Sequence, residues 1–163
     1  MATIDPILLE ARGVTKRWPG VLALDGVDLK VYAGRVNALV GENGAGKSTL
    51  MNILSGVYAD YEGELYLEGR PIHFRTTADA QAAGVTMVHQ ELNLVPQLNV
   101  AENIFLGREP LNRWGMIDYN RMHSEAQKWL ARVGFTYDSY TMVSDLKVGD
   151  QQLIEIAKAL SLG

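Results

Sequence analysis

The stretch Val36–Leu50 reads VNALVGENGAGKSTL. Inside it, Gly41-Glu42-Asn43-Gly44-Ala45-Gly46-Lys47-Ser48 meets the pattern G-x-x-x-x-G-K-[ST] at every fixed position. Each fixed residue has a chemical reason. Glycines let the backbone turn back and aim successive N–H groups inward at phosphate oxygens. A helix that begins directly after the loop presents its positive end to the same anion. Lys47 then reaches the β- and γ-phosphates, and Ser48 ligates Mg²⁺. The flanks agree. Val36–Val40 is a short apolar run, which predicts a buried strand. Leu50, Met51, Ile53 and Leu54 suit a helix, with Gly56 as its stop. At average residue usage, chance gives such a match in roughly one chain in a hundred of this length, or fewer. The predicted fold class is therefore α/β, built around a P-loop NTPase core.

Composition bounds the rest. At 163 residues the chain is about one domain, and 47% hydrophobic with 21% charged residues suits an ordinary globular protein. The net charge of −4 weighs against a phosphate-backbone binder, so no nucleic-acid partner is expected. The lack of cysteine excludes disulfides, thiolate metal sites and cysteine nucleophiles. Met1–Glu10 has no basic n-region and contains Asp5 and Pro6, unlike a secretory signal. No apolar run reaches bilayer-spanning length, so a membrane role is expected to come through a partner.

Upstream of the loop, Ile7–Ala11 predicts a strand, Arg17–Gly20 a loop, and Val27–Val31 a strand with one buried face. Downstream, Leu65–Leu67 and Ile72–Phe74 flank Gly69-Arg70-Pro71 as a small hairpin. Ala78–Ala83 predicts a short helix ended by Gly84, and Val85–Val88 another strand. The pattern then turns helical. Val100–Phe105 is the first helix. Asp118 caps a second that runs through Val133, with Met122, Ala126, Trp129, Leu130 and Val133 on one face. The third is Asp150–Leu162, with Leu153, Ile156, Ala157 and Leu160 on one stripe.

Four segments carry a family resemblance: GENGAGKSTL from Gly41, VHQELNLVPQL at Val88–Leu98, AENIFLGRE at Ala101–Glu109, and Gly149-Asp150-Gln151-Gln152 followed by IEIAKAL. In order and spacing they resemble the ABC-transporter ATPases, and most nearly the ribose-type sugar-import branch, from about Ile7 to Gly163. The resemblance implies an ABC-type nucleotide-binding domain that binds ATP and Mg²⁺. It assigns Gly41, Glu42, Asn43, Gly44, Ala45, Gly46, Lys47, Ser48 and Thr49 to the nucleotide. Trp18 falls where the family stacks an aromatic ring on adenine; the alternative is a tryptophan that fills core or loop space. Gln90 matches the Q-loop, whose amide touches both Mg²⁺ and the attacking water; the alternative is a solvated loop glutamine. Lys47 and Gln90 are thus the expected catalytic residues, and Ser48 and Gln90 the metal ligands. His89 reads as structural. Leu94, Val95 and Leu98 either meet a permease's coupling helix or belong to an ordinary packed loop.

The implied organisation is an ATP-binding core with phosphate loop and Q-loop over 1–95, a helical subdomain over 96–150, and the signature helix over 151–163. The implied function is the energy-coupling subunit of a sugar importer, with a pentose or sugar alcohol as cargo. Its partners would be an integral-membrane permease, a second nucleotide-binding domain and, indirectly, an extracytoplasmic sugar-binding protein. It would sit peripherally on the cytoplasmic face of the inner membrane. A non-transport ABC ATPase and a non-catalytic nucleotide-binding fragment are the alternatives. A P-loop kinase would make Trp18, Gln90 and Gly149–Gln152 coincidences.

Two departures from the family pattern stand out. Leu146-Lys147-Val148-Gly149-Asp150 occupies the place of Leu-Ser-Gly-Gly-Gln, so Lys147 replaces the serine that meets a partner's γ-phosphate. The Walker B acids and switch histidine lie beyond Gly163 in the family. The expectation is an N-terminal portion that is truncated at its C-terminus, does not hydrolyse ATP alone, and aggregates readily because Val36–Val40 lacks its neighbours.

Overall fold

The computed structural model describes residues 6–89 and 91–162. It divides into two compact units, Met1–Val85 and Thr86–Gly163.

The first unit is an antiparallel sheet with a short helix on it. β1 (Ile7–Trp18) pairs with β2 (Val21–Tyr32), β3 (Glu62–Leu67) pairs with the other edge of β1, and β4 (Arg70–Ile72) closes the order β2-β1-β3-β4. Pro71 is tolerated because β4 is an edge strand. β1 buries Leu9 and Ala11, then Val14 and Lys16. The change from odd to even positions follows from a bulge. Between the pairs Ala11–Leu29 and Val14–Val27, two residues of β1, Arg12 and Gly13, face one of β2, Asp28, and Gly13 takes the left-handed conformation, φ 57°, that such a bulge needs. Without the extra residue, everything after it would turn to the other side. The core adds Leu24, Leu65, and Leu50, Ile53 and Leu54 of α1 (Lys47–Leu54), which stops before Gly56 as expected.

Three expectations fail here. The predicted loop Arg17–Gly20 is strand up to Trp18, and only Pro19-Gly20 turns. Val36–Val40 is not a strand; Val36 is 100% and Val40 89% exposed. Val85–Val88 is not a strand either. The cause is shared. A strand exists through its ladder, and no described strand pairs with either run. Asn37 instead ties to the chain behind it, accepting from Tyr32 N–H (3.2 Å) and donating to the carbonyls of Tyr32 (3.1 Å) and Arg35 (3.2 Å).

After α2 (Thr77–Ala82), the second unit packs α3 (Val100–Phe105), α4 (Tyr119–Arg132) and α5 (Val148–Leu160) together. Asn99 and Glu102 cap α3 reciprocally, and Asp118 caps α4 as predicted. The core comprises Val100, Ile104, Met122, Ala126, Leu130, Ile154 and Ala157, with neighbours. α5 begins two residues earlier than predicted, and its buried residues are Ile154 and Ala157 with Leu153 beside them; Ile156 and Leu160 are exposed.

The boundary between the compact units falls at 85/86, and α5 lies within the second. Hydrogen bonds explain why. Buried Asn103 accepts from Val95 N–H at 2.7 Å and donates to the carbonyls of Val95, Leu98 and Asn99. Glu155 of α5 accepts from Asn93 N–H at 2.8 Å. The segment after residue 90 is therefore bound into the helices.

Candidate phosphate-loop site

α1 starts at Lys47 with Gly46 as its N-cap, at φ 83° and with no side-chain cap. The first intrahelical bond runs from Leu50 N–H to Gly46 C=O at 2.9 Å. The N–H groups of Lys47, Ser48 and Thr49 precede that bond and point out of the helix end. Together with the helix dipole they form a small electropositive cup.

Gly46 is fixed by sterics as well as by conformation. A Cβ there would stand 2.6 Å from both the Ala23 carbonyl oxygen and Leu24 Cδ2. The loop thus rests against β2. Gly44 also adopts a positive φ, 85°, whereas a Cβ on Gly41 would make ordinary contacts with Ala45 and Lys47. Ala45 N–H closes the loop on the Glu42 carbonyl at 3.2 Å. Lys47 Nζ crosses the loop and donates to the carbonyls of Gly41 (2.8 Å) and Glu42 (2.7 Å). An ammonium carries three donors, so one remains to aim at an anion. Glu42, Asn43 and Ser48 are exposed, and Thr49 is half-buried.

Trp18 ends β1 and pairs with Val21, two residues before the Ala23 carbonyl that meets the loop. The topology therefore brings Trp18 and Gly41–Thr49 into one unit. The ring is 39% exposed. Tyr58 meets it edge-on, with centroids 5.1 Å apart at 79°, and Lys16 Nζ lies 4.2 Å from its centroid. Lys16 donates to the Asp60 carbonyl at 2.6 Å and to Asp60 Oδ1 at 2.5 Å. That hydrogen bond holds the Asp60 carboxyl below its usual range. Sequence reasoning passed over Lys16 because a basic residue next to Arg17 reads as solvated. The available signal was its i, i+2 spacing from Trp18.

Gln90 lies outside the described residues. His89 beside it is exposed. Leu94 packs against the second unit's core, and Val95 and Leu98 are half-buried. Lys147 is the N-cap of α5 and makes no side-chain cap bond. Gln151 Nε2 donates to the carbonyls of Val143 (3.2 Å) and Leu146 (3.0 Å), which holds the turn before that helix.

The sequence pattern described as ABC transporter matches residues 24–163. The chain belongs to the ABC transporter family.

Within that family it is 54% identical over 161 residues to the ribose import ATP-binding protein RbsA of Rhodopirellula baltica, covering 99% of this chain and 32% of the relative. It is 54% identical over 156 residues to the xylose import ATP-binding protein XylG of Geobacillus kaustophilus, covering 94% of this chain and 31% of the relative. The chain thus spans about a third of the length of these curated relatives. Among solved structures, a nucleotide-free ATP-binding cassette from an ABC transporter superposes with a TM-score of 0.81 at 27% identity, over 96% of this chain and 65% of that one. The ADP conformation of the ATP-binding cassette MJ1267 gives a TM-score of 0.78 at 28% identity, over 98% and 66%. The fold of this ABC family member is that of the ABC ATP-binding cassette.

Proposed function

We propose that this chain binds ATP with Mg²⁺ and supplies the nucleotide-binding core of a sugar importer's energy-coupling ATPase. The observation that carries the proposal is the closed loop, with Gly46 seated on Ala23 and Lys47 spanning the loop above the start of α1. Backbone N–H groups of Gly44 and Gly46–Thr49 take phosphate oxygens, Ala45 N–H closes the loop on Glu42, and the Lys47 ammonium offsets charge on the β- and γ-phosphates. Glu42 and Asn43 shape the rim. Ser48 offers an exposed hydroxyl at the cup, a hard donor that suits Mg²⁺, and the family resemblance would add the Gln90 amide oxygen. Ser48 would hold Mg²⁺ beside the phosphates, where the ion would supply positive charge against theirs. Gln90 orients water, Lys47 steadies the transferring group, and Trp18 offers its exposed ring to adenine.

At the level of the whole protein, the proposed partners are an integral-membrane permease, a second nucleotide-binding domain and, indirectly, an extracytoplasmic sugar-binding protein. No helix among the described residues is long and apolar enough to cross a membrane. Attachment would be peripheral, at the cytoplasmic face, with the helical unit receiving the permease. Ribose and xylose in the relatives' names favour a pentose as cargo. A second reading, nucleotide binding without turnover, is favoured by Lys147, which stands uncapped where the family pattern has serine.

Calorimetric titration with ATP, with and without Mg²⁺, tests the site. Mg²⁺ should tighten binding by about tenfold, which is about 1.4 kcal/mol. Ser48→Ala should lose that gain and keep the Mg²⁺-free affinity. An unchanged Mg²⁺ gain in Ser48→Ala would remove Ser48 from the ion's ligands.

A further inference from the structure

Lys16 is only 2% exposed, and its ammonium is anchored by the backbone oxygen and carboxylate of Asp60. Burying a cation is unfavourable unless specific partners offset it, so its place calls for a reason. The ammonium lies 4.2 Å from the Trp18 ring centroid and 5.7 Å from that of Tyr58. A cation thus lies over one face of the indole, Tyr58 packs on it in a T-shaped arrangement, and Trp18 keeps 39% of its surface exposed.

We infer that Lys16, held by Asp60, is a positioning residue that makes Trp18 a one-sided stacking platform for the nucleobase. The inference rests on the proposal above that Trp18 receives adenine. Two aromatic faces brought together repel through their quadrupoles. A cation on the far face draws π density toward itself and relieves that repulsion for a base on the near face. It also fixes the ring before the base arrives, so less freedom is lost on binding. A neutral side chain of similar length would fill the space without either effect.

The test compares ATP with inorganic tripolyphosphate, which lacks the base, on the whole chain. Lys16→Met should weaken ATP by about five- to twentyfold while leaving tripolyphosphate within about twofold. In a Trp18→Ala background the same change should add nothing. Equal losses for both ligands, no loss for either, or a loss that persists without Trp18, would overturn the inference. If circular dichroism shows Lys16→Met unfolded, Asp60→Asn decides, because the Asp60 side chain is exposed. It should weaken ATP alone by about two- to fivefold, and an unchanged ATP affinity would overturn the inference. Two results separate this failure from that of the underlying proposal. Unmodified chain that binds neither ligand refutes the phosphate site, and Trp18→Ala that binds ATP normally refutes the base platform.

Discussion

Among the described residues, two α-helices begin without a side-chain cap, and they begin in opposite ways. α1 opens on Gly46 at φ 83°, pressed against the backbone of β2; α5 opens on Lys147 with extended backbone, φ −70° and ψ 155°. A Cβ on Gly46 would meet the Ala23 carbonyl at 2.6 Å, whereas one on Gly149 would meet nothing within 4 Å. The charges differ too. At α1 the lysine at the first helical position arches back over two loop carbonyls. At α5 an exposed lysine sits at the positive end of the helix dipole, offset in part by Asp150 in the first turn. A cradle closed by its own neighbours has its sequence dictated by sterics, and an open helix start accepts variation. Gly46 is the fixed position of the loop that sterics dictate in this way, and Gly149 at the other helix start carries no such constraint.

The contrast can be broken most severely at Gly46. Gly46→Ala should cost about 2–4 kcal/mol of stability, from a backbone clash and a strained positive φ. Nucleotide binding should fall with it, and thermal melts with ATP titration read both. A silent Gly46→Ala would mean that the loop is not a closed cradle. At the other helix, Lys147→Ser supplies a hydroxyl cap and removes an unfavourable charge. It should raise stability by about 1 kcal/mol in urea unfolding, and a loss would show that the lysine already has a stabilising role. The smallest effect is expected for Gly149→Ala. In the first turn of an unobstructed helix it should be neutral or stabilise by up to about 1 kcal/mol.

The same distinction explains what the sequence made legible. The loop and the start of α1 could be read directly, because positive φ and a cation within reach are local constraints; the close approach of Gly46 to Ala23 is the part that only the fold shows. The caps at Asn99 and Asp118 belong to this class, although only Asp118 was anticipated. Val36–Val40 and Val85–Val88 were misread because their apolar runs carry no information about a partner strand. Trp18 was singled out by resemblance alone, and its lysine neighbour reads as solvated beside Arg17, because the bulge at Gly13 that turns Lys16 inward is not visible in the alternation. Asn103 was missed for a similar reason. Its four hydrogen bonds run to backbone groups of residues 95–99, and only the folded turn brings those groups together.

The central claim is that the cup at the start of α1 holds the phosphates of ATP and that Lys47 faces them. It is tested most directly by the Mg²⁺-ATP affinity of the chain and of Lys47→Ala, measured by calorimetry beside matched thermal melts. The account predicts a variant that melts like its parent and binds ATP at least about thirtyfold more weakly, as expected for the loss of a charge-assisted contact. Equal affinity in the two proteins would contradict it.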